Sequence, residues 1–480
     1  MFVPLGDVPD SVGISRLHHL SADGTQGYGE SHFPGNQFVA NEWGADRGVE
    51  LVGSSLGTPA NVGVNGMDGT GSRVIGTLPM AGSSSAGFLW DATTGIQFLG
   101  DLLGGDSSTP LGISQDGTVV VGMSPSSRLD SEAFVWIEGE GMVGLGAGGP
   151  LRSYQNSTAA RIVSGDGSTV LGQSISANGI EIFLWTEAGG LQRIGGSDSN
   201  YALKAPVAIS WDGSIIAGRD ADGAPVLWSA QGVTALGTVD GHVGSAPWAM
   251  DGAGTVVVGT AATGDNCVGI EPWIWTADLG TLVLKDYLAA RGAVGLEDWC
   301  LVVPSAVSFD GNVITGNGFD PEGESRGWIA YLDAPPGLNL GESICSPAVS
   351  NSSGVPASIL TAGSRLVENN ATTLHVNGLP TDQAGFFLNG SNSAFVPMAG
   401  GSQGNLCLGG AVGRYSRAGE VQDSGAFGAI GLTIDLTDSP GAMGPFAILA
   451  GQSYFFQAWY RDVNPAATSN FSDAVGVDFL

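Results

Sequence analysis

Polar and apolar positions in this chain fall into short β-type runs separated by regular turn residues, with no helical periodicity between them. One stretch shows the pattern. Leu111-Gly112-Ile113-Ser114 leads into Gln115-Asp116-Gly117, a tight turn, and Thr118-Val119-Val120-Val121-Gly122 returns as a second strand. A polar loop, residues 124–131, precedes Ala133-Phe134-Val135-Trp136. A second turn, Glu138-Gly139-Glu140-Gly141, leads to Met142-Val143-Gly144-Leu145-Gly146 as a fourth strand.

The same phrase recurs. Asp-Gly pairs begin at Asp23, Asp68, Asp116, Asp166, Asp212, Asp251 and Asp310, and the matching tryptophans are Trp43, Trp90, Trp136, Trp185, Trp228, Trp275 and Trp328. Consecutive aspartates are 45, 48, 50, 46, 39 and 59 residues apart, a loose period within the repeat-architecture range of roughly 20–50 residues. In the sixth unit Ala253-Gly254 enlarges the turn. A repeated four-stranded unit with one Trp predicts a β-propeller of seven blades. The tryptophans are expected to pack blade against blade.

The last unit has three strands: Ala306-Val307-Ser308-Phe309, Val313-Ile314-Thr315-Gly316 and Gly327-Trp328-Ile329-Ala330-Tyr331. Its missing fourth strand matches Phe2-Val3-Pro4-Leu5-Gly6, so the N-terminal strand is expected to close the final blade. After Pro335-Pro336 the period stops. Residues 345–480 offer strands around Ile359-Leu360, Thr373–Val376, Gly385–Leu388, Gly431–Ile434 and Tyr454–Tyr460, which read as a β-sandwich. The expected fold is therefore all-β: a seven-bladed propeller over 1–334, a linker over 335–344 and a sandwich over 345–480.

Charge narrows the partners. Sixteen Lys and Arg against 46 Asp and Glu give a net charge of −30. Phosphate backbones and anionic lipid would be repelled, so neither nucleic acid nor a membrane surface is an expected partner. No apolar stretch reaches the 18 residues of a membrane span. No charged and apolar leader opens the given sequence, which is expected of a mature exported chain or of a cropped sequence. Four cysteines allow three pairings; Cys267–Cys300 and Cys345–Cys407 are expected, hence an oxidising compartment.

Ile113-Ser114-Gln115-Asp116-Gly117-Thr118-Val119-Val120-Val121-Gly122 followed by Ala133-Phe134-Val135-Trp136 resembles the HAF-type repeats of exported bacterial proteins. Asp286-Tyr287-Leu288 through Trp299 and Ser305-Ala306-Val307-Ser308 resembles the last repeat of that family. The ending around Phe456–Asp462 and Asn470–Val475 resembles a C-terminal module of secreted planctomycete and myxobacterial proteins. These resemblances imply an extracellular location and an attachment, sorting or accessory role, and carry no catalytic residues.

If the first strand of each unit is innermost, the long loops share the face opposite the Asp-Gly turns, and that face is the expected ligand surface. Arg152, Tyr154, Tyr201, Lys204, His242 and His32 are the candidate ligand-binding residues on it. The expected partner is a glycan or an extracellular protein, with self-assembly into a surface layer or filament through the sandwich as an alternative. An enzymatic alternative is a polysaccharide lyase or hydrolase acting on an acidic glycan; in the lyase, Tyr or His would abstract the proton α to a uronate carboxylate and Arg or Lys would neutralise it. Gly400-Gly401-Ser402-Gln403-Gly404 has the spacing of a nucleophile elbow, but it lies in a Gly-rich loop rather than between strand and helix. No cofactor is expected; Asp462, Asn464, Asn470 and Asp473 are oxygen donors of the type calcium takes, and also of the type that caps turns. A binding or surface-structural role is favoured over catalysis.

Overall fold

The computed structural model describes the chain apart from residues 1, 6–7, 9–10, 12–14, 34–36, 45–47, 52–62, 81–84, 147–156, 177–178, 197–202, 204, 240, 264–267, 292, 294, 297, 333–339, 364, 366, 368–369, 371, 426–427, 443 and 464–465. The fold is all-β. It divides into two compact units, one of Pro4–Leu284 with Trp299–Ile329, the other of Met1–Val3, Lys285–Asp298 and Ala330–Leu480.

Among the described residues there are seven antiparallel four-stranded sheets, here I to VII, whose first strands are Ser15–Leu20, Gly63–Met67, Thr109–Ile113, Ser157–Val163, Ala208–Ile209, Val243–Met250 and Cys300–Val307, and in I to VI the strands follow in chain order. Sheet I is Ser15–Leu20, Gln26–Phe33, Gln37–Gly44 and Gly48–Leu51. Sheet III is Thr109–Ile113, Val119–Ser124, Glu132–Ile137 and Gly141–Gly144, the four strands expected there. In sheet VII, Cys300–Val307, Val313–Phe319 and Ser325–Tyr331 are completed on the outside by Phe2–Pro4. The Leu5 N–H donates to the Gly327 carbonyl at 2.9 Å, and Phe2 and Leu5 are both buried.

The turns that end the first strands are stitched to one another. Ala22 N–H donates to the Gly69 carbonyl (2.7 Å), Gly69 to Gln115 (2.8 Å), Gln115 to Gly165 (3.0 Å), Asp166 to Trp211 (3.0 Å), Trp211 to Gly252 (2.8 Å) and Gly252 to Phe309 (2.9 Å). Asp310 then donates to Ala22 at 3.3 Å, returning to the start. A circle of four-stranded sheets is the β-propeller architecture.

Each turn has an internal brace. In sheet III the Ser114 hydroxyl donates to Asp116 (2.6 Å) and accepts the Val119 N–H (3.0 Å), while the Thr118 N–H donates to Asp116 (3.0 Å). Sheets I, IV, V and VII repeat it with Ser21, Ser164, Ser210 and Ser308. Sheets II and VI differ from the sequence reading. Asp68 and Asp251 stand where the others have serine, accepting the Arg73 and Val256 N–H at 3.0 and 2.9 Å. The left-handed turn glycines there are Gly71 and Gly254 rather than Gly69 and Gly252. The turn in sheet VI is thus no longer than the rest; its aspartate has moved two places toward the N-terminus, because a carboxylate accepts the same N–H that a serine hydroxyl does. Trp328 is displaced in the same way. Its ring lies against the Gly316 position, where sheets III and IV place Phe134 and Phe183 against Gly122 and Gly172.

In the second unit one sheet runs Glu342–Ile344, Ala467–Asp478, Ser453–Val463 and Ala384–Gly390, with Gly413–Arg414 and Gln422–Asp423 both pairing the last. A second sheet is Ser358–Gly363, Thr372–Asn377 and Ile430–Ile434. Both feed one core: Phe456, Ala458 and Tyr460, alternate residues of one strand, meet Leu374, Val376 and Ile430. Cys345 and Cys407 form a disulfide. Cys300 is also disulfide-bonded; Cys267, its expected partner, lies outside the described residues.

The sequence reading expected no helix. Leu284–Ala290 is one, and its buried Leu284, Tyr287 and Leu288 have the three-and-four spacing of a helical apolar face. Lys285–Asp298 belongs to the second unit. There the Arg291 guanidinium lies 4.6 Å from the Tyr287 ring centre and donates to the Leu332 carbonyl at 3.2 Å.

Candidate functional site

A glycine within each second strand shapes the inside of the ring. A Cβ on Gly122 would stand 2.2 Å from the Thr109 carbonyl oxygen, and one on Gly259 2.2 Å from that of Ala246. Gly29, Gly76, Gly172, Gly218 and Gly316 face the equivalent carbonyls. Because this residue lacks a side chain, the innermost strand can press close and bulge. Register shifts follow at one equivalent place: Leu17/His19, Val64/Gly66, Pro110/Gly112, Ala160/Ile162, Pro247/Ala249 and Pro304/Ala306.

A bulge re-aims the extra side chain out of the alternation between neighbouring sheets; on an innermost strand, that direction is the axis of the ring. The residues so placed are His18, Asn65, Leu111, Arg161, Trp248 and Ser305, with Val207 at the matching position of sheet V. None is buried, although Leu17, Ala160 and Ala246 beside them are. Asn65 donates across to the Pro110 carbonyl at 2.8 Å, tying sheet II to sheet III. The Trp248 indole N–H donates to the Thr260 hydroxyl at 2.8 Å, and its side chain is 48% exposed.

A second circle, at the turn end, is Ala22, Gly69, Gln115, Gly165, Trp211, Gly252 and Phe309. Large residues lie over neighbouring glycines. A Cβ on Gly252 would stand 1.9 Å from the Phe309 ring, and one on Gly165 2.4 Å from the Trp211 ring. Trp211 and Phe309 meet edge to face at 5.3 Å.

On the loop side, the His242 Nε2 is 2.8 Å from the Glu271 carboxylate. His32 and His18 each place Nε2 3.7 Å from the same Glu30 oxygen, and the His18 interaction holds the Glu30 carboxyl below its usual range. Burial, with His18 adjacent, pushes His19 down to about 4. Arg152, Tyr154, Tyr201 and Lys204 lie outside the described residues. Of the six expected ligand contacts, then, His32 on sheet I and His242 before sheet VI are placed, each against a carboxylate.

The oxygen donors of the second unit are engaged separately. Asp462 accepts the Ser352 N–H at 3.1 Å, Asp473 accepts the Ile359 N–H at 2.7 Å, and Asn470 donates to the Val349 carbonyl at 3.3 Å. Burial raises the Asp473 carboxyl. Asn464 lies outside the described residues. Among the described residues no three His, Cys, Asp or Glu side chains gather as metal ligands. No helix there is long and apolar enough to cross a membrane.

No protein-family model and no curated protein matches the chain. Solved structures do. The β-propeller domain of the trilobed protease from Pyrococcus furiosus is 10% identical, covering 67% of this chain and 99% of its own at a TM-score of 0.44. A putative TolB from Agrobacterium tumefaciens is 13% identical, covering 66% and 90% at a TM-score of 0.34. TolB from Acinetobacter baumannii is 13% identical, covering 68% and 85% at a TM-score of 0.34. At such identities and TM-scores, what the chain does must be argued from its own geometry.

Proposed function

We propose that residues 1–334 form a closed seven-bladed propeller of HAF-type repeats and residues 345–480 a β-sandwich, and that the chain is an exported bacterial binding or surface-structural module. In this reading the long-loop face recognises a glycan or an extracellular protein. The circle of seven turn-to-turn backbone bonds carries it. In this reading the turn side is the scaffold and recognition falls to the opposite side, with the His242–Glu271 pair. The Cys345–Cys407 disulfide supports an oxidising compartment.

The test is retention of the purified chain on immobilised neutral and acidic polysaccharides and on extracellular matrix protein, with assay for new unsaturated sugar ends. Retention without unsaturated ends is expected. Unsaturated ends would establish a lyase instead, and no retention on any matrix would defeat the reading.

Assembly through the second unit is a second reading, favoured by one observation. The strand Asn392–Val396 and the turn after it expose Phe395 (64%) and Met398 (67%), an apolar tip of the sort that partners cover. Sedimentation velocity of the wild type and Phe395→Ser decides it: a concentration-dependent oligomer lost in the variant supports assembly, and a monomer in both removes it.

A further inference from the structure

We infer that the axis of the ring is itself a binding site, for a sugar carrying a carboxylate, with Arg161 as the charge partner and Trp248 as the stacking surface. This rests on the reading of the propeller as a binding module, and it moves recognition from the loops to the bulged residues.

Charge supplies the first argument. The chain carries 46 Asp and Glu, yet none of the seven bulged or matching positions is one. Arg73, Arg193, Arg326 and Arg417 are all paired with carboxylates. Arg161 is exposed on an innermost strand, and no carboxylate pairs with it among the described residues. A guanidinium left unneutralised between low-dielectric walls, inside an acidic protein, focuses field on an anion that enters. Its planar fork matches a carboxylate with two parallel hydrogen bonds. The other basic group of the circle, His18, is already turned to Glu30, which leaves Arg161 as the one to meet a ligand.

Shape supplies the second. Trp248 stands two sheets from Arg161, separated by Val207. Because its N–H is spent on Thr260, the indole is locked and offers a flat apolar face with no donor. The C–H face of a pyranose stacks on such a surface. A uronate presents that face and a carboxylate on one ring, which matches the chemistry of both groups; an acidic peptide has a carboxylate but no such face.

The experiment is calorimetric titration of the full chain with tetragalacturonate, its fully methyl-esterified form and hexaglutamate. Variants are Arg161→Gln, Trp248→Ala and His242→Ala, with circular dichroism confirming folding; Arg161→Lys keeps the charge and loses the fork. Tetragalacturonate should bind, with affinity at least 10-fold weaker for the methyl ester, for Arg161→Gln and for Trp248→Ala. It should be intermediate for Arg161→Lys, and the loss in Arg161→Gln should exceed any loss in His242→Ala. Binding that is sensitive to His242→Ala but not to Arg161→Gln overturns this site while sparing the loop-face reading. Preference for hexaglutamate, or no binding of tetragalacturonate, overturns the ligand class. Failure of every glycan and protein in the retention assay defeats both.

Discussion

Replacing Gly122 by alanine tests how the interior of the ring is made. The new methyl would lie 2.2 Å from the Thr109 carbonyl oxygen, 2.8 Å from the Pro110 Cα and 2.8 Å from the Phe134 ring. Two of those neighbours are backbone of the paired strand and cannot rotate aside. The strand Thr109–Ile113 must retreat, losing the Pro110–Gly122 register or the bulge at Leu111. Overpacking of this kind costs about 1–3 kcal/mol, and a lost ladder hydrogen bond adds about 1 kcal/mol, so roughly 2–4 kcal/mol is expected. Gly139→Ala is the control. Gly139 has φ +84° with nothing within 4 Å of its Cβ, so only left-handed strain of about 1–2 kcal/mol applies. Urea unfolding followed by tryptophan fluorescence measures both. A Gly122→Ala midpoint no lower than that of Gly139→Ala would refute the close approach of the inner strand.

Other consequences are equally direct. Ser164→Ala removes the acceptor of the buried Thr169 N–H and the donor to Asp166, and should cost about 1–3 kcal/mol in urea unfolding; Asp251→Ser, which installs the residue used in five other sheets, should cost less than half as much. Asp212 is held down to about 2 by the Ser214 hydroxyl and N–H and by the Ser210 hydroxyl, so its contribution is whole above about pH 4 and disappears as pH falls toward 2. Asp23, Asp116 and Asp166 are lowered too, hydrogen bonds outweighing burial, so the melting temperature should fall between pH 4 and 2; a flat profile would contradict the brace. Cys345 and Cys407 are 62 residues apart, and replacing both by serine should destabilise the second unit by about 4 kcal/mol on the loop-entropy relation, seen as a lower urea midpoint for the protection of Tyr454–Tyr460 amides.

Much of the first unit was legible because its turns are chemically demanding. Ser-x-Asp-Gly supplies an acceptor for two N–H groups and a residue content at positive φ, and few sequences do that. The reading slipped by two residues at Asp68 and Asp251 because either oxygen-bearing side chain can accept the N–H. It slipped at Trp328 because Phe and Trp fill the same hollow over a glycine. The helix Leu284–Ala290 was passed over within the stretch read as resembling a last repeat, although Leu284, Tyr287 and Leu288 were spaced for it. Most of the axis-facing residues were missed for another reason. Strand alternation assigns Arg161 or Trp248 to a sheet face, and only a bulge turns them inward. The glycine that closes each repeated motif, inside the second strand, was the available sign, noted without its steric meaning. Most of the loop candidates depended on composition and a face assignment, which place a residue on a side of the molecule but not beside a partner.

Closure of the ring by the opening strand is most directly tested by amide hydrogen exchange on the full chain and on a variant lacking residues 1–6. Phe2 and Leu5 are 3% exposed, and burying each is worth about 1.5–3 kcal/mol. Loss of the strand should expose the outer edge of Ser325–Tyr331 and sharply raise its exchange, while Glu132–Ile137 keeps its protection. Equal protection of Ser325–Tyr331 in both proteins would contradict the closed ring.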